Sequence, residues 1–150
     1  MDKGQTAKQL FLSGLNCAQS VVLAFKDELN IDALTLQKLS IGFGGGVGRQ
    51  RQVCGAVLGM TMVLSYLKSD GVDKGSIYKV IQDACNEFKA QVGSIVCAEL
   101  LDKDTLKDNS SMPQERTQEY YKKRPCADIC YLAGQITQKY LDLPNEQLKI

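Results

Sequence analysis

The chain contains no histidine. It therefore has no imidazole to act as a base near neutral pH, to complete a mixed zinc site or to bind haem iron. A Cys–His nucleophilic hydrolase is excluded, because its thiol would lack the activating base. A dominant sign of charge is also missing: 18 Lys and Arg stand against 17 Asp and Glu, interleaved along the chain, for a net charge of +1. Phosphate backbones select a basic excess, so nucleic acid is not an expected partner. Long apolar runs are absent too. The longest uncharged stretch, Gln52 to Leu67, is short for a bilayer span and carries Cys, Gly, Thr and Ser. It reads as a buried helix, with no membrane as partner. Met1-Asp2-Lys3-Gly4-Gln5 leads into no signal-peptide apolar region, and a cytoplasmic location is expected.

What the chain does have is sulfur and glycine. Six cysteines in a chain with these features point to reduced, catalytic or metal-bound thiols rather than to a static disulfide framework. Gly42-Phe43-Gly44-Gly45-Gly46-Val47-Gly48-Arg49 precedes Cys54-Gly55-Ala56-Val57-Leu58-Gly59. So dense a glycine run ends any helix before it, since each glycine surrenders backbone entropy on becoming helical.

Apolar residues recur at helical steps nearly everywhere, and no alternation is long enough to read as a strand. Residues 1–150 read as a single all-α domain of about five to seven helices with a glycine-rich interhelical turn. One buried stripe runs from Ala7 through Phe11, Cys17, Val21 and Phe25 to Leu29, with Cys17 in its middle. Thr35 is a candidate cap for a second helix through Leu36 and Leu39. The third helix starts near Gln52, with Val53, Val57, Met60 and Leu64 as its core stripe. Gly55 and Gly59, one turn apart, permit close approach of another helix or of a ligand. Asp73 or Ser76 caps a fourth helix that ends at Gly93. Ser94 to Leu101 is a turn with a short helix holding Cys97, and Asp102 to Met112 is an exposed, mobile loop. Pro113 starts a helix ending near Lys123, and Pro125 starts the last one.

Cys54 is the first candidate for a reactive thiol. It falls at the start of a helix, where amide groups and the dipole favour a thiolate, with Arg49 and Arg51 just upstream. Cys126 repeats the design behind Lys122-Lys123-Arg124. Cys130, one turn on, is a weaker candidate. Cys85 lies on an apolar stripe and reads as a buried core thiol. Cys17 and Cys97 stay open on position alone. The cysteines are too far apart in sequence for zinc-ribbon or ferredoxin patterns. The glycine run lacks the Walker lysine and follows a helix, but Gly44, Gly45, Gly46 and Gly48, with Arg49, could hold an anion at the next helix start.

These pieces together resemble the C_GCAxxG_C_C family of redox-active proteins. The likeness rests on Gly14-Leu15-Asn16-Cys17-Ala18-Gln19-Ser20-Val21, the Gly42–Arg49 run, Cys54-Gly55-Ala56-Val57-Leu58-Gly59, Cys97 and Arg124-Pro125-Cys126. The family label writes Gly-Cys-Ala where this chain reads Cys-Gly-Ala. The resemblance implies that Cys17, Cys54, Cys97 and Cys126 are the functional set, as catalytic thiols or as metal ligands. It also resembles the non-haem part of split-Soret cytochromes, which implies an iron–sulfur role. No Cys-x2-Cys-His motif is present for covalent haem.

Three readings stand. The first is a thiol-based oxidoreductase, in which Cys54 or Cys126 attacks and another cysteine resolves, working with a redox partner the sequence does not identify. The second is an electron carrier or sensor whose cysteines ligate an iron–sulfur cluster or zinc. The third is a helical binding module with inert thiols, as a homodimer. For either chemistry, at least three of the four cysteines must converge, and the glycine turn is where they are expected to meet.

Overall fold

The structure, a computed structural model, describes residues 1–144. Among the described residues ten regular α-helices follow one another, leaving aside Gly44–Val47, whose backbone is left-handed from Gly45 onward: α1 (Lys3–Leu12), α2 (Cys17–Ala24), α3 (Lys26–Leu29), α4 (Ala33–Ser40), α5 (Gly55–Lys68), α6 (Lys74–Val92), α7 (Cys97–Leu100), α8 (Lys103–Leu106), α9 (Gln118–Lys123) and α10 (Cys126–Asp142). A 3₁₀ turn, Ile41–Phe43, links α4 to the glycine run. The described residues contain no β-strand, only one isolated bridge between Val53 and Val96. The all-α expectation holds, but the helices outnumber it because periodicity runs straight across breaks.

The first apolar stripe is three helices, not one. Gly14, at φ +115°, stands between α1 and α2. Asn16 then starts α2: its side chain accepts from the Gln19 amide, while the Gln19 side chain accepts from the Asn16 amide. Cys17 is thus the first residue of α2 rather than mid-helix. Asp32, not Thr35, caps α4, and the Thr35 N–H and hydroxyl both donate to it. The third long pattern begins at Gly55 with Cys54 as N-cap, later than Gln52. Thr117 caps α9, so Pro113 does not start it. Pro125 occupies the N-cap of α10 and Cys126 its first turn. Asp73 and Gly93 bound α6 as expected. The segment from Asp102 to Met112 is exposed apart from Thr105 and Leu106, but it contains α8.

The core is built around α5. Val57, Met60, Val63 and Leu64 are almost wholly buried, each worth about 2 kcal/mol of apolar burial. α2 packs directly on α5. A Cβ on Gly59 would lie 2.9 Å from the Ala18 carbonyl oxygen, so the small residue is what allows the contact. α1 and α10 meet as closely, through Gly4 and Gly134.

The glycine run is left-handed. Gly45 (φ 66°, ψ 22°) and Gly46 (φ 72°, ψ 58°) are followed by Val47, Gly48 and Arg49 at φ 63°, 59° and 62°. Left-handed backbone brings Cβ against the following carbonyl oxygen, at roughly 1–2 kcal/mol per residue, so the two non-glycine members are strained. Packing holds them in place. Gly48 N–H donates to the Gly42 carbonyl at 2.8 Å and Gln52 N–H to the Gly46 carbonyl at 2.9 Å.

Two substitutions separate conformation from packing here. A Cβ on Gly46 would sit 2.7 Å from both Cys97 Cβ and the Gln52 nitrogen, whereas one on Gly48 meets nothing within 4 Å. Gly46→Ala is expected to cost more than about 2 kcal/mol in urea unfolding, and Gly48→Ala about 1 kcal/mol. Equal losses would mean that the turn does not pack against Cys97 as described.

Candidate thiol site

Between the glycine turn, α2, α5, α7 and α10 lies a cavity of about 360 Å³. Cys17, Cys54, Cys97 and Cys126 all line it, each from a different element. Gly44, Gly45, Gly48 and Arg49 line it as well. Gly46 does not; it lies behind Cys97 and makes room for that side chain. Cys130 is fully buried next to the set, its Sγ 3.9 Å from the Cys17 carbonyl oxygen, without lining the cavity. Cys85 lies apart from the cavity, but it is half-buried rather than a core thiol, because its stripe on α6 turns partly to solvent. All six cysteines are free thiols.

Local structure explains how distant cysteines come to line one cavity, although no three of them gather as donors around one ion. Cys17 opens α2 because Asn16 caps it. The Asn16 Nδ2 also donates to the Ile41 carbonyl at 2.9 Å, tying α2 to the entry of the glycine turn. Gly55 lies so close to Cys17 that a Cβ there would strike its sulfur. A short pairing of two extended stretches joins the other two thiols. Cys54 N–H donates to Ile95 at 2.7 Å, Cys97 N–H to Gln52 at 2.6 Å and Ala98 N–H to Arg51 at 3.2 Å. These bonds flank the Val53–Val96 bridge and set Cys54 opposite Ile95 and Cys97 opposite Gln52, at diagonal positions of the pairing.

Burial dominates the electrostatics. It pushes the Cys17 thiol up, against the Gly45 amide that faces its sulfur. It pushes Cys54 well above its ordinary range, reinforced by nearby Cys17 and opposed by the Val57 and Ala56 amides. Those amides face the sulfur without forming a capping hydrogen bond. Cys126 is pushed up to about 12 by burial and then by Cys17, with the Arg124 guanidinium acting the other way. Cys130 is likewise held well above its ordinary value by burial and the neighbouring sulfurs.

Positive charge surrounds this set. Arg49, Arg51, Arg116 and Arg124 line the cavity, and no aspartate or glutamate does. Arg51 Nη1 stands 3.9 Å from Cys97 Sγ. Arg116 donates to the Phe11 and Leu15 carbonyls at 2.9 and 3.0 Å and stacks over the Phe11 ring. Arg49 ties the turn to the exposed segment: it donates to the Ser110 carbonyl at 2.8 Å and to the Met112 carbonyl, and pairs with Asp108. Sequence reasoning took Arg49 and Arg51 as neighbours of Cys54 and missed Arg116 and Tyr120. The carbonyl partners of Arg116 lie some hundred positions away in the chain, and no local pattern announces them.

Four free thiols on one arginine-walled cavity make cysteine the defining feature of this helical domain. The family model described as "Putative redox-active protein (C_GCAxxG_C_C)" matches residues 15–140, and the chain belongs to that family. No curated protein and no solved structure matches the chain. No helix among the described residues is long and apolar enough to cross a membrane.

The raised thiols set a pH dependence. Below about 9 both folded and unfolded chains keep the Cys126 proton. Between about 9 and about 12 the unfolded chain releases it while the fold retains it, so stability falls as pH rises. Urea midpoints measured across this range are expected to fall less steeply for Cys126→Ser than for the parent protein. Parallel curves would show that Cys126 is not held protonated by the fold.

Proposed function

We propose that the protein is a thiol–disulfide oxidoreductase in which Cys97 attacks and a second cavity cysteine resolves. The observation that carries this is the Arg51 guanidinium, whose Nη1 lies 3.9 Å from Cys97 Sγ. A fixed cation at this distance is the neighbour with which exchange chemistry holds negative sulfur. Cys54 and Cys126 each stand at a helix start, which favours attack on sequence grounds. Burial holds both in the thiol form, which counts against either as the attacking group.

The Cys97 thiolate attacks one sulfur of a substrate disulfide, forming a mixed disulfide and expelling the other half as a thiolate. That thiolate, or a base from solvent, takes the proton of a second cavity thiol. The second sulfur then attacks Cys97, an intramolecular disulfide forms and the remaining substrate thiolate leaves. The substrate gains two electrons and the two cysteines lose them. Cys17 and Cys126 are the resolving candidates, because Cys97 lies near enough to perturb the titration of both.

A second reading draws on the same donors. Four cysteines are the number that ligates a common iron–sulfur cluster, and the surrounding arginines would offset its negative charge. Cys17, Cys54, Cys97 and Cys126 would hold it, and it would supply one-electron transfer. Zinc fits less well: as placed, no three such donors among the described residues gather as they would around one ion.

The two readings separate on anaerobically purified protein treated with a neutral low-mass disulfide, hydroxyethyl disulfide. Exchange chemistry is expected to consume two thiols per chain, with Cys97→Ser slowing the first step more than about 100-fold. Stoichiometric iron with visible absorption and unreactive thiols would overturn the exchange reading in favour of the cluster.

A further inference from the structure

The arginines around the cavity are not equivalent. Arg49 has Asp108 as a counter-charge, 3.5 Å away. Arg116 is occupied by two carbonyls, and Arg124 Nη2 donates to Gln114 Oε1 at 2.8 Å. Arg51 is different. Its Nη1 reaches only a sulfur, while Nε and Nη2 are buried with no hydrogen-bond acceptor. No carboxylate among the described residues forms an ion pair with it. Nε and Nη2 share one edge of the guanidinium, the edge that grips an oxyanion through two parallel hydrogen bonds. Both atoms have almost no exposed surface, so the protein covers that edge without supplying an acceptor, and an unpaired buried cation is strongly unfavourable unless something negative meets it. Arg51 as a whole is only half-buried, which places the guanidinium at the cavity wall rather than in the core.

The fold pays for this arrangement. Arg51 sits at φ +62°, a strained conformation for a residue with a Cβ. The rest of the wall is largely apolar, with Phe11, Leu100, Leu101 and Ile129 prominent. At about 360 Å³ the space is at the small end of ligand pockets.

We propose that this cavity binds a small organic anion, an oxyanionic head on a compact apolar body, with the head at the Arg51 guanidinium and the body against Phe11 and Leu100, beside the Cys97 sulfur. The inference deepens the exchange reading by giving its substrate class: small disulfides or thiols that carry a carboxylate or sulfonate. Binding of the anion does not depend on the exchange itself.

The test uses two alkylating agents that differ in charge. Iodoacetate and iodoacetamide are applied to the whole protein and the labelling of each cysteine is followed by mass spectrometry. Cys85, away from the cavity, is the internal reference. The iodoacetate-to-iodoacetamide rate ratio is expected to be about tenfold higher at Cys97 than at Cys85. Arg51→Gln should bring the two ratios together, and Arg51→Lys should restore part of the difference, since it keeps the charge but loses the fork. Benzoate should slow carboxymethylation of Cys97, and neutral benzamide should not. Equal ratios at Cys97 and Cys85 in the parent protein, a preference that survives Arg51→Gln, or equal effects of benzoate and benzamide would overturn the proposal. If Arg51→Gln does not fold by circular dichroism, the benzoate–benzamide comparison on the parent protein decides. Failure here with normal hydroxyethyl disulfide exchange removes only the anion site, and the reverse result removes only the exchange chemistry.

Discussion

The left-handed turn from Gly45 to Arg49 is the constraint from which the thiol site hangs. Consecutive left-handed residues reverse the chain tightly between α4 and α5, and the Gly44–Gly48 region offers amides where a right-handed turn would offer side chains. Its bonds reach unusually far, with Arg51 N–H donating to the Gly45 carbonyl at 3.1 Å and Gln52 N–H to Gly46 at 2.9 Å. One loop thereby sets three features. The Gly45 amide faces Cys17, Arg49 points to the exposed 108–112 segment, and Arg51 is brought to Cys97. Val47 and Arg49 would abandon such backbone if they were free to do so, since nothing in their own chemistry favours it. Tertiary packing therefore holds the turn, and the strain is concentrated at the site, as it is where function sets geometry.

Glycine acts in a second way around the same point. Gly46 lets Cys97 approach, Gly55 lets Cys17 approach, and Gly59 lets the α2 backbone lie against α5. This part was legible in the sequence, because two glycines one turn apart on a buried helix have few other uses. So were the α5 core stripe, the Asp73 cap and the Gly93 stop. The break between α1 and α2 was not legible. Leu10, Phe11, Cys17 and Val21 keep helical spacing across it, and periodicity reports which residues face inward rather than where the backbone turns. The capping box at Asn16 and Gln19 was the available signal. The placing of Cys54 and Cys97 on one cavity depends on backbone hydrogen bonds between residues some forty positions apart, which no composition or period encodes.

The cavity sets two electrostatic tendencies against each other. Desolvation holds Cys17, Cys54 and Cys126 in the neutral form, while arginines along the same wall favour anions. Inert core thiols need no cations nearby, and an apolar core is more stable without them. Four arginines on a largely apolar cavity, with no carboxylate among its lining residues, are an expensive arrangement for packing alone. This weighs against the reading of the chain as a helical binding module with idle sulfur.

The exposed segment borders the cavity without being packed into the core. Ser111, Pro113 and Gln114 line the cavity, yet the stretch from Lys107 to Glu115 has no buried residue to anchor it. Its attachment is polar: Arg49 to Ser110, Met112 and Asp108, and Arg124 to Gln114. Both arginines are therefore wall and fastening at once. Polar attachments of this kind open at far lower cost than a packed helix does. One side of the cavity is thus held by the contacts of two arginines, while Cys17, Cys54 and Cys126, on the other sides, stand on elements fixed by the core.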